Sequence, residues 1–226
     1  MFRAKIFAAA FFAGLAFLTL VAAGAAEDKE GSPIKLFNAK DLSGWKIFLD
    51  PKSKADPESV FFVKDGILIC KGVPYGYLIT DKEYGDYVLK LQWRWAPEGD
   101  NEKRNSGVFV HVSGPDKIWP KGVEAQLYRD HAGDFWLVDG FKLDVDKSRQ
   151  DKNKIHYDRI KKSGVEKPIG EWNQYEITCK DDTIKLVVNG VLQNEGTHAE
   201  RTKGKILLQS EGAEIHFRNI ELTPMK

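Results

Sequence analysis

Cysteine is scarce in this sequence of 226 residues, which contains only Cys70 and Cys179. Two thiols are too few for a disulfide scaffold or for a four-cysteine zinc site. Each lies in an apolar stretch that is predicted to form a strand, which favours two unpaired, buried cysteines. The alternative is a disulfide, which would require the two Cα atoms to lie within about 7 Å of each other.

An excess of charge of either sign is also absent, with 34 lysines and arginines against 33 aspartates and glutamates. The chain has no surplus of basic residues for phosphate contacts, which excludes a protein whose main activity is nucleic-acid binding. Aromatic residues make up 12% and hydrophobic residues 42% of the chain, which excludes an intrinsically disordered protein. The composition therefore predicts a folded domain with no nucleic-acid partner.

Long hydrophobic runs are absent except near the N-terminus. Arg3 and Lys5 precede an apolar stretch from Ile6 to Val21, and small residues then lead into a polar run. This order predicts a secretory signal peptide over residues 1–26, the alternative being an uncleaved membrane anchor. Residues 27–226 are then one domain that is periplasmic or secreted and has no membrane contact after cleavage.

The remaining sequence shows no long amphipathic helix, and its apolar residues recur at every second position in many short segments. Asp65-Gly66 and Asn189-Gly190 are typical of tight hairpin turns, because such pairs adopt positive φ angles readily. The pattern predicts an all-β fold with two antiparallel sheets packed as a β-sandwich. The segment from Asp139 to Lys167, rich in lysine and aspartate, is predicted to be a long, solvated, polar loop.

Polar and aromatic side chains alternate with the apolar positions on three predicted strands. If the apolar set fills the space between the sheets, the alternating residues share the outer face of neighbouring strands. The set comprises Gln92, Arg94, Phe109, His111, Glu124, Gln126 and Tyr128. Planar polar groups and rings together are typical of a carbohydrate-binding surface, whereas the alternative is a solvated face with paired charges.

Six segments recur in the same order in one known family: LFNAKDLSGWKIF, DGILICKG, NSGVFVHV, GVEAQLYRD, GEWNQYEITCKDDTIKLVVNG and KGKILLQSEGAEIHFRNIEL. Over almost all of the chain after the N-terminal segment, the sequence resembles the 3-keto-disaccharide hydrolase domain family. The resemblance implies a secreted, concanavalin A-like jelly roll that acts on sugars whose C3 hydroxyl has been oxidised to a ketone. The sequence departs from the usual family pattern at His111, at Ser210-Glu211 and between Gly133 and Gly140.

The predicted strand that carries Glu124 lacks the second carboxylate of an ordinary retaining glycosidase, since Gln126 and Tyr128 occupy the positions two and four residues later. A sugar with a ketone at C3 can be cleaved without a carboxylate pair, because the ketone acidifies the C2 proton. One base can then start an elimination that expels the C1 substituent, and water adds to the enone. We predict Glu124 as the base, with Arg94 and His111 as positive partners of the developing enolate. The predicted substrate-binding residues are Gln92, Asn105, Gln126, Tyr128, Trp136 and Gln209.

A divalent metal is a further hypothesis, because Glu124, His111, His131, Asp134 and Asp139 are ligand types that could converge, although their spacing matches no standard metal motif. For function, the sequence favours a secreted hydrolase or lyase that cleaves 3-keto-glycosides. The alternatives are a non-catalytic carbohydrate-binding jelly-roll module and a surface interaction protein that uses the polar insert.

Overall fold

The computed structural model describes residues 31–98 and 104–225. The predicted signal peptide, residues 1–26, lies outside the described residues. Within them the chain forms two antiparallel sheets, interrupted only by one turn of α-helix, α1 (Pro57–Val60), and one short 3-10 helix (Lys147–Arg149). The predicted all-β fold with two antiparallel sheets is confirmed. No helix in the described part is long and apolar enough to cross a membrane.

One sheet contains nine strands: β1 (Ile34–Lys35), β3 (Phe61–Lys64), β4 (Ile67–Cys70), β6 (Tyr87–Trp95), β10 (Asp144–Val145), β12 (Asn173–Lys180), β13 (Thr183–Val188), β14 (Val191–Thr197) and β16 (Ile215–Pro224). Eight of them follow the order β10-β14-β13-β12-β6-β16-β4-β3, and β1 pairs with β16. The last long strand of the chain therefore lies in the middle of this sheet.

The other sheet contains seven strands: β2 (Trp45–Leu49), β5 (Gly76–Thr80), β7 (Gly107–Ser113), β8 (Lys121–Gln126), β9 (Phe135–Val138), β11 (His156–Tyr157) and β15 (Lys205–Ser210). Their order is β11-β9-β8-β7-β15-β5-β2. Besides hairpin pairs, each sheet contains neighbouring strands from distant parts of the sequence, such as β6 and β16 in one sheet and β7 and β15 in the other, as in a jelly roll.

The main core lies between the sheets and is filled by alternate residues of their strands. Leu89, Trp93 and Phe217 of the nine-stranded sheet and Val108 and Phe135 of the seven-stranded sheet are fully buried in one cluster. Full burial of such a side chain stabilises the fold by about 1.5–3 kcal/mol. The period of two that the sequence shows therefore corresponds to a real division between inward and outward side chains.

Two hairpins lie where the sequence predicts them. Asp65 and Gly66, with φ angles of 51° and 74°, join β3 to β4. Asn189 and Gly190, with φ angles of 48° and 79°, join β13 to β14. The turn residues thus supply the positive φ angles that tight hairpins require. The expectation of two unpaired, buried cysteines is also confirmed.

The segment from Asp139 to Lys167 differs from the solvated loop expected of it. Its strand β10 pairs with β14 and its strand β11 pairs with β9, so the segment extends both sheets. Leu143, Val145 and Tyr157 are buried against the main core. The prediction of a long polar loop is therefore wrong for this part, because apolar residues alternate with the charged ones.

The seven-stranded sheet also buries side chains on its outer face. A second, smaller apolar cluster there contains Tyr77, Ile79, Phe109, Val112 and Leu207. Most side chains of β7 and β8 are consequently buried on both faces of the sheet. This covered outer face carries the candidate functional site.

Candidate functional site

A cavity of about 480 Å³ opens on the outer face of the seven-stranded sheet. Its polar lining consists of three carboxyl groups and three amides, from Glu124, Asp139, Glu211, Asn105, Gln126 and Gln209. Its aromatic lining comes from Phe109, Trp119 and Trp136. No lysine, arginine or histidine of the described residues lines it. Its size is typical of small-molecule sites.

Glu124 lies in the middle of β8, where its register partners are Phe109 on β7 and Trp136 on β9. The residue is 6% exposed, and its Oε1 atom has no hydrogen-bond partner among the described residues. Burial in this apolar setting raises the pKa of the Glu124 carboxyl well above its usual value, and neighbouring Glu211 raises it further. Burial thus favours the protonated form of Glu124.

Gly107 on β7 makes room for this carboxyl group. A Cβ atom on Gly107 would lie 2.8 Å from the Cγ and 2.9 Å from the Cδ of Glu124, closer than side chains can pack. The missing side chain at position 107 is therefore a condition for the position of Glu124.

Glu211 supplies a second carboxyl group from the segment that follows β15. Its Oε2 accepts a hydrogen bond of 2.8 Å from Nδ2 of Asn105. Burial raises the pKa of Glu211 to about 7. The sequence analysis looked for a second carboxylate only along the strand of Glu124, whereas Glu211 lies just after β15. The sequence does contain a signal for Glu211, because it lies two positions after the predicted binding residue Gln209, and both line the cavity.

Three buried oxygen atoms around the cavity lack hydrogen-bond donors among the described residues. They are Oε1 of Glu124, Oδ1 of Asn105 and Oε1 of Gln209. Each unsatisfied buried polar atom costs about 1–3 kcal/mol, so a ligand that donates hydrogen bonds here would recover that free energy. Gln126 differs, because its Oε1 already accepts a bond of 2.6 Å from the backbone of Tyr128.

Among the described residues that line this cavity, the groups that suit a metal are side-chain oxygen atoms. A divalent cation would be held by the carboxylates of Glu124 and Glu211, with amide oxygens of Asn105 and Gln209. An all-oxygen set of this kind fits magnesium, calcium or manganese rather than zinc. His111, His131 and Asp134, which the sequence suggested as further ligands, do not line the cavity, whereas Asp139 does.

Arg94 and Gln92 lie in the nine-stranded sheet, whereas Glu124 lies in the seven-stranded sheet. The prediction that both share an outer face with Glu124 is therefore wrong. They belong to β6, which pairs with β12 and β16. Nε of Arg94 donates to His216 over 3.2 Å, and its guanidinium lies 4.6 Å from the centre of the Trp172 ring. Alternation along a strand assigns the face of a residue but cannot assign the sheet, which depends on long-range pairing.

His111 is also outside the cavity, because a β-bulge interrupts β7. The pairing register with β8 shifts between Val110 and Ser113, and His111 has a φ angle of 54°. The extra residue changes the facing of the strand, so Val112 rather than His111 joins Phe109 in the outer cluster. The His111 ring stacks 6.4 Å from Phe141, and burial lowers its pKa to about 4.

The remaining predicted binding residues divide into two groups. Asn105, Gln126, Trp136 and Gln209 line the cavity together with Glu124, and their role in binding stays a prediction. Tyr128 follows the end of β8 and does not line the cavity. Its ring instead lies 5.3 Å from the ring of His131.

A charged network lies behind Trp136. Oδ2 of Asp134 contacts His131 at 3.0 Å and His156 at 2.9 Å, and Oδ1 accepts two bonds from Arg159. The His156 ring stacks on Trp136 at 4.5 Å. Asp134, His156 and Asp158 have ligand atoms within 4.8 Å of one another, but both oxygens of Asp134 are already occupied. This network therefore ties the insert to the cavity wall.

A larger cavity of about 580 Å³ lies beside α1, at β2 and β3. None of its lining residues within the described part has a buried polar side-chain atom without a partner. Unsatisfied acceptors and paired carboxyl groups thus distinguish the cavity at Glu124 as the candidate functional site.

Solved structures with the same fold include carbohydrate-active proteins. A protein of Parabacteroides distasonis ATCC 8503, described provisionally as a glycosyl hydrolase, matches with a TM-score of 0.62 and 24% identity over 86% of this chain and 94% of that one. The β-glucanase of Bacillus licheniformis matches with a TM-score of 0.55 and 15% identity over 88% and 100%. The carbohydrate-binding module CBM66 of Bacillus subtilis matches with a TM-score of 0.53 and 9% identity over 78% and 93%. At these identities the likeness shows the jelly-roll fold.

Sequence comparison is more specific. No curated protein sequence matches the chain. A family model, however, matches residues 32–223, which covers both sheets and every residue that lines the cavity. The chain therefore belongs to the family of 3-keto-alpha-glucoside-1,2-lyase-like domains.

Proposed function

We propose that this protein cleaves the glycosidic bond of 3-keto-glycosides and that it works in the periplasm or outside the cell. One observation carries the proposal: two carboxyl groups with raised pKa values, Glu124 and Glu211, line one cavity that also presents unsatisfied oxygen acceptors. Family membership supports the substrate class, and the N-terminal segment supports export.

The chemistry requires one base and one stabiliser of negative charge. A base removes the C2 proton of the 3-keto sugar, and the electrons of that C–H bond form an enolate with the C3 oxygen. The enolate then restores the C3 carbonyl and forms the C1–C2 double bond. The bond from C1 to the glycosidic oxygen breaks in the same step, and the leaving oxygen takes up a proton. Addition of water across the double bond, with hydroxyl at C1 and hydrogen at C2, completes a net hydrolysis.

The different environments of the two carboxyl groups support different roles. Because the pKa of Glu211 is about 7, a large share of this group is ionised near neutral pH and can act as the base. Burial raises the pKa of Glu124 well above its usual value, so Glu124 keeps its proton and donates a hydrogen bond to the developing enolate oxygen. Glu124 thus takes the stabilising role that the sequence suggested for Arg94 and His111.

The amides assist by fixing the sugar. Oδ1 of Asn105 and Oε1 of Gln209 need hydrogen-bond donors, which sugar hydroxyl groups supply. The Trp136 ring, held from behind by His156, offers a flat apolar wall for the pyranose. Together these groups would orient C2 toward the base.

A non-catalytic carbohydrate-binding module is the second candidate. The same unsatisfied acceptors and aromatic rings favour it, and a binding module shares the fold. The two candidates differ in whether the carboxyl pair removes a proton from bound sugar.

The test is incubation of the purified protein with methyl 3-keto-α-glucoside and 3-keto-trehalose, and with the same glycosides left unoxidised. We expect cleavage of the keto sugars only. Cleavage of the unoxidised glycosides would indicate a direct glycosidase, and binding without cleavage would indicate the module. Parallel reactions with a chelator test the cation hypothesis, since an essential cation would make chelation abolish turnover.

A further inference from the structure

The outer face of the nine-stranded sheet carries two arginines that contact one tryptophan ring. Arg94 of β6 and Arg218 of β16 alternate with core residues, so both side chains lie on the face that points away from the sandwich. The Cζ atom of Arg218 lies 4.0 Å from the centre of the Trp172 ring, and that of Arg94 lies 4.6 Å from it. Because both stack on the same ring, the two cations are held close together.

Each guanidinium is anchored through its Nε atom alone. Nε of Arg94 donates to Nδ1 of His216 over 3.2 Å, and Nε of Arg218 donates to Oε1 of Gln92 over 2.7 Å. Among the described residues, neither arginine forms an ion pair, and the Nη atoms of both have no hydrogen-bond partner. A guanidinium that is fixed at Nε and free at both Nη atoms presents a planar fork of donors, which suits a carboxylate.

The contacts around the arginines do not neutralise their charge. Nδ1 of His216 accepts the bond from Arg94, because the Nε atom of an arginine can only donate. Nε2 of His216 therefore carries the ring proton and donates to Oε1 of Glu214 over 2.7 Å. The other carboxylate oxygen of Glu214 pairs with Nζ of Lys71 at 2.7 Å. The cluster thus contains one carboxylate and three cations, which leaves it positively charged.

A β-bulge places neutral polar groups beside Arg218. The pairing of β16 with β6 shifts register after Arg218, and Asn219 has a φ angle of 51°. Nδ2 of Asn219 consequently reaches the same acceptor as its neighbour, Oε1 of Gln92, over 3.2 Å. The Gln92 amide nitrogen and the Asn219 amide oxygen have no partner among the described residues. This mixture of donors and an acceptor matches an acidic sugar, which has both a carboxylate and hydroxyl groups, better than a simple anion.

From these contacts we propose that Arg94, Arg218 and Trp172 form an anchoring site for acidic polysaccharides. The Nη atoms of the two arginines bind the carboxylate groups of uronic acid units, and the amides of Gln92 and Asn219 bind sugar hydroxyl groups. The site lies on the sheet opposite to the candidate catalytic cavity, so the proposal does not depend on the catalytic one. Binding there leaves the cavity open while the protein is held on an anionic matrix.

The experiment is calorimetric titration of an oligogalacturonate, a chain of uronic acids, at low ionic strength, where screening is weakest. In Arg94→Gln and in Arg218→Gln, Kd should rise by about tenfold or more, because each substitution removes a hydrogen-bonding cation. Arg201→Gln is the matched control, since it removes the same charge from a surface arginine that pairs with Glu83. Its Kd should stay within about twofold of the wild-type value.

Arg218→Lys separates the planar fork from the charge alone. This variant keeps the positive charge but cannot bind a carboxylate with two parallel bonds, so its Kd should also rise. Equal Kd values in the wild type, Arg218→Lys and both glutamine variants would overturn the site, as would failure of the wild type to bind the oligogalacturonate.

Inorganic phosphate and a neutral galactose oligosaccharide are the comparison ligands. Both should bind far more weakly than the oligogalacturonate, because the first lacks the hydroxyl pattern of a sugar and the second lacks carboxylates. Equal affinity for either one would overturn the assignment to an acidic sugar. The kcat/KM for methyl 3-keto-α-glucoside tests the catalytic proposal separately and should be unchanged in every variant of the site.

Discussion

Gly107 and Glu124 occupy adjacent strands so closely that a side chain on the former would overlap the carboxyl group of the latter. Gly107→Ala should displace the Glu124 side chain, because its flexible end can move while the two backbones stay paired. We expect at least a tenfold loss of kcat on a 3-keto-glucoside, since small misplacements of catalytic groups reduce rates strongly. Steady-state kinetics measures the loss.

Gly85→Ala is the matched control for this substitution. A Cβ atom on Gly85 meets only the backbone oxygen of Thr202, at 3.8 Å, which is an ordinary contact. Both variants should melt cooperatively in thermal unfolding. Full activity in Gly107→Ala would contradict the link between the glycine and the catalytic carboxyl group.

The free energy of unfolding should depend on pH through Glu124. Its pKa in the folded state lies well above the value of about 4.3 in an unfolded chain. A group with a raised folded pKa contributes its full stability below the unfolded pKa and loses it as pH rises toward the folded pKa. Glu124→Gln should therefore melt at a higher temperature than the wild type at pH 8 and at nearly the same temperature at pH 4.

Differential scanning calorimetry between pH 4 and pH 8 measures this difference. Glu176→Gln is the control, because Glu176 lies in the other sheet and pairs with Lys90 at the surface. If Glu124→Gln tracks the wild type at every pH, the carboxyl group is not held in its protonated form.

Asp134 should stabilise the fold at neutral pH and lose this effect in acid, the reverse of the pH dependence expected for Glu124. Although burial opposes its charge, hydrogen bonds from His156, His131 and Arg159 lower the pKa of Asp134. A lowered pKa contributes stability above the unfolded value of about 3.9, and that stability is lost as pH falls through the folded pKa. At pH 7, Asp134→Asn should cost about 3–5 kcal/mol, the range for breaking a buried ion pair.

Urea unfolding at pH 7 and at pH 3 measures that cost, which should shrink in acid. Asp158→Asn is a useful comparison because Asp158 pairs with exposed Lys162, and such pairs contribute about 0–1 kcal/mol. A cost for Asp134→Asn no larger than that of Asp158→Asn would show that the network does not hold the insert.

Arg94 should be dispensable for catalysis, because it lies in the sheet opposite to the cavity and contacts His216 and Trp172. Arg94→Gln is expected to keep kcat/KM on a 3-keto-glucoside within about twofold of the wild type, as surface substitutions usually change little. A tenfold loss of kcat/KM in a variant that still folds would show that Arg94 takes part in catalysis.

The sequence predicts the fold well because its signals are local. Alternating apolar residues identify the strands, and the pairs at Asp65 and Asn189 supply the hairpin turns. The face of Glu124 also follows from alternation along β8. The sheet to which Arg94 belongs depends instead on the pairing of β6 with β16, which no local pattern specifies.

Two other features escape the pattern for different reasons. The bulge at His111 is a single residue with positive φ, and alternation alone does not reveal it. Glu211 lines the same cavity as Glu124 because β15 and β8 both pair with β7. Sequence reasoning therefore finds one carboxyl group of the candidate pair and misses its partner.

The pH dependence of kcat/KM for methyl 3-keto-α-glucoside in the wild type, Glu211→Gln and Glu124→Gln tests the catalytic pair most directly. In the wild type, kcat/KM should rise as pH increases through about 7, where Glu211 ionises, and fall again when Glu124 loses its proton. Glu211→Gln should lower the rate by about 10²–10⁴-fold, the usual contribution of a general base, and remove the rising limb. Wild-type rates and an unaltered profile in both variants would contradict the assignment of the two carboxyl groups.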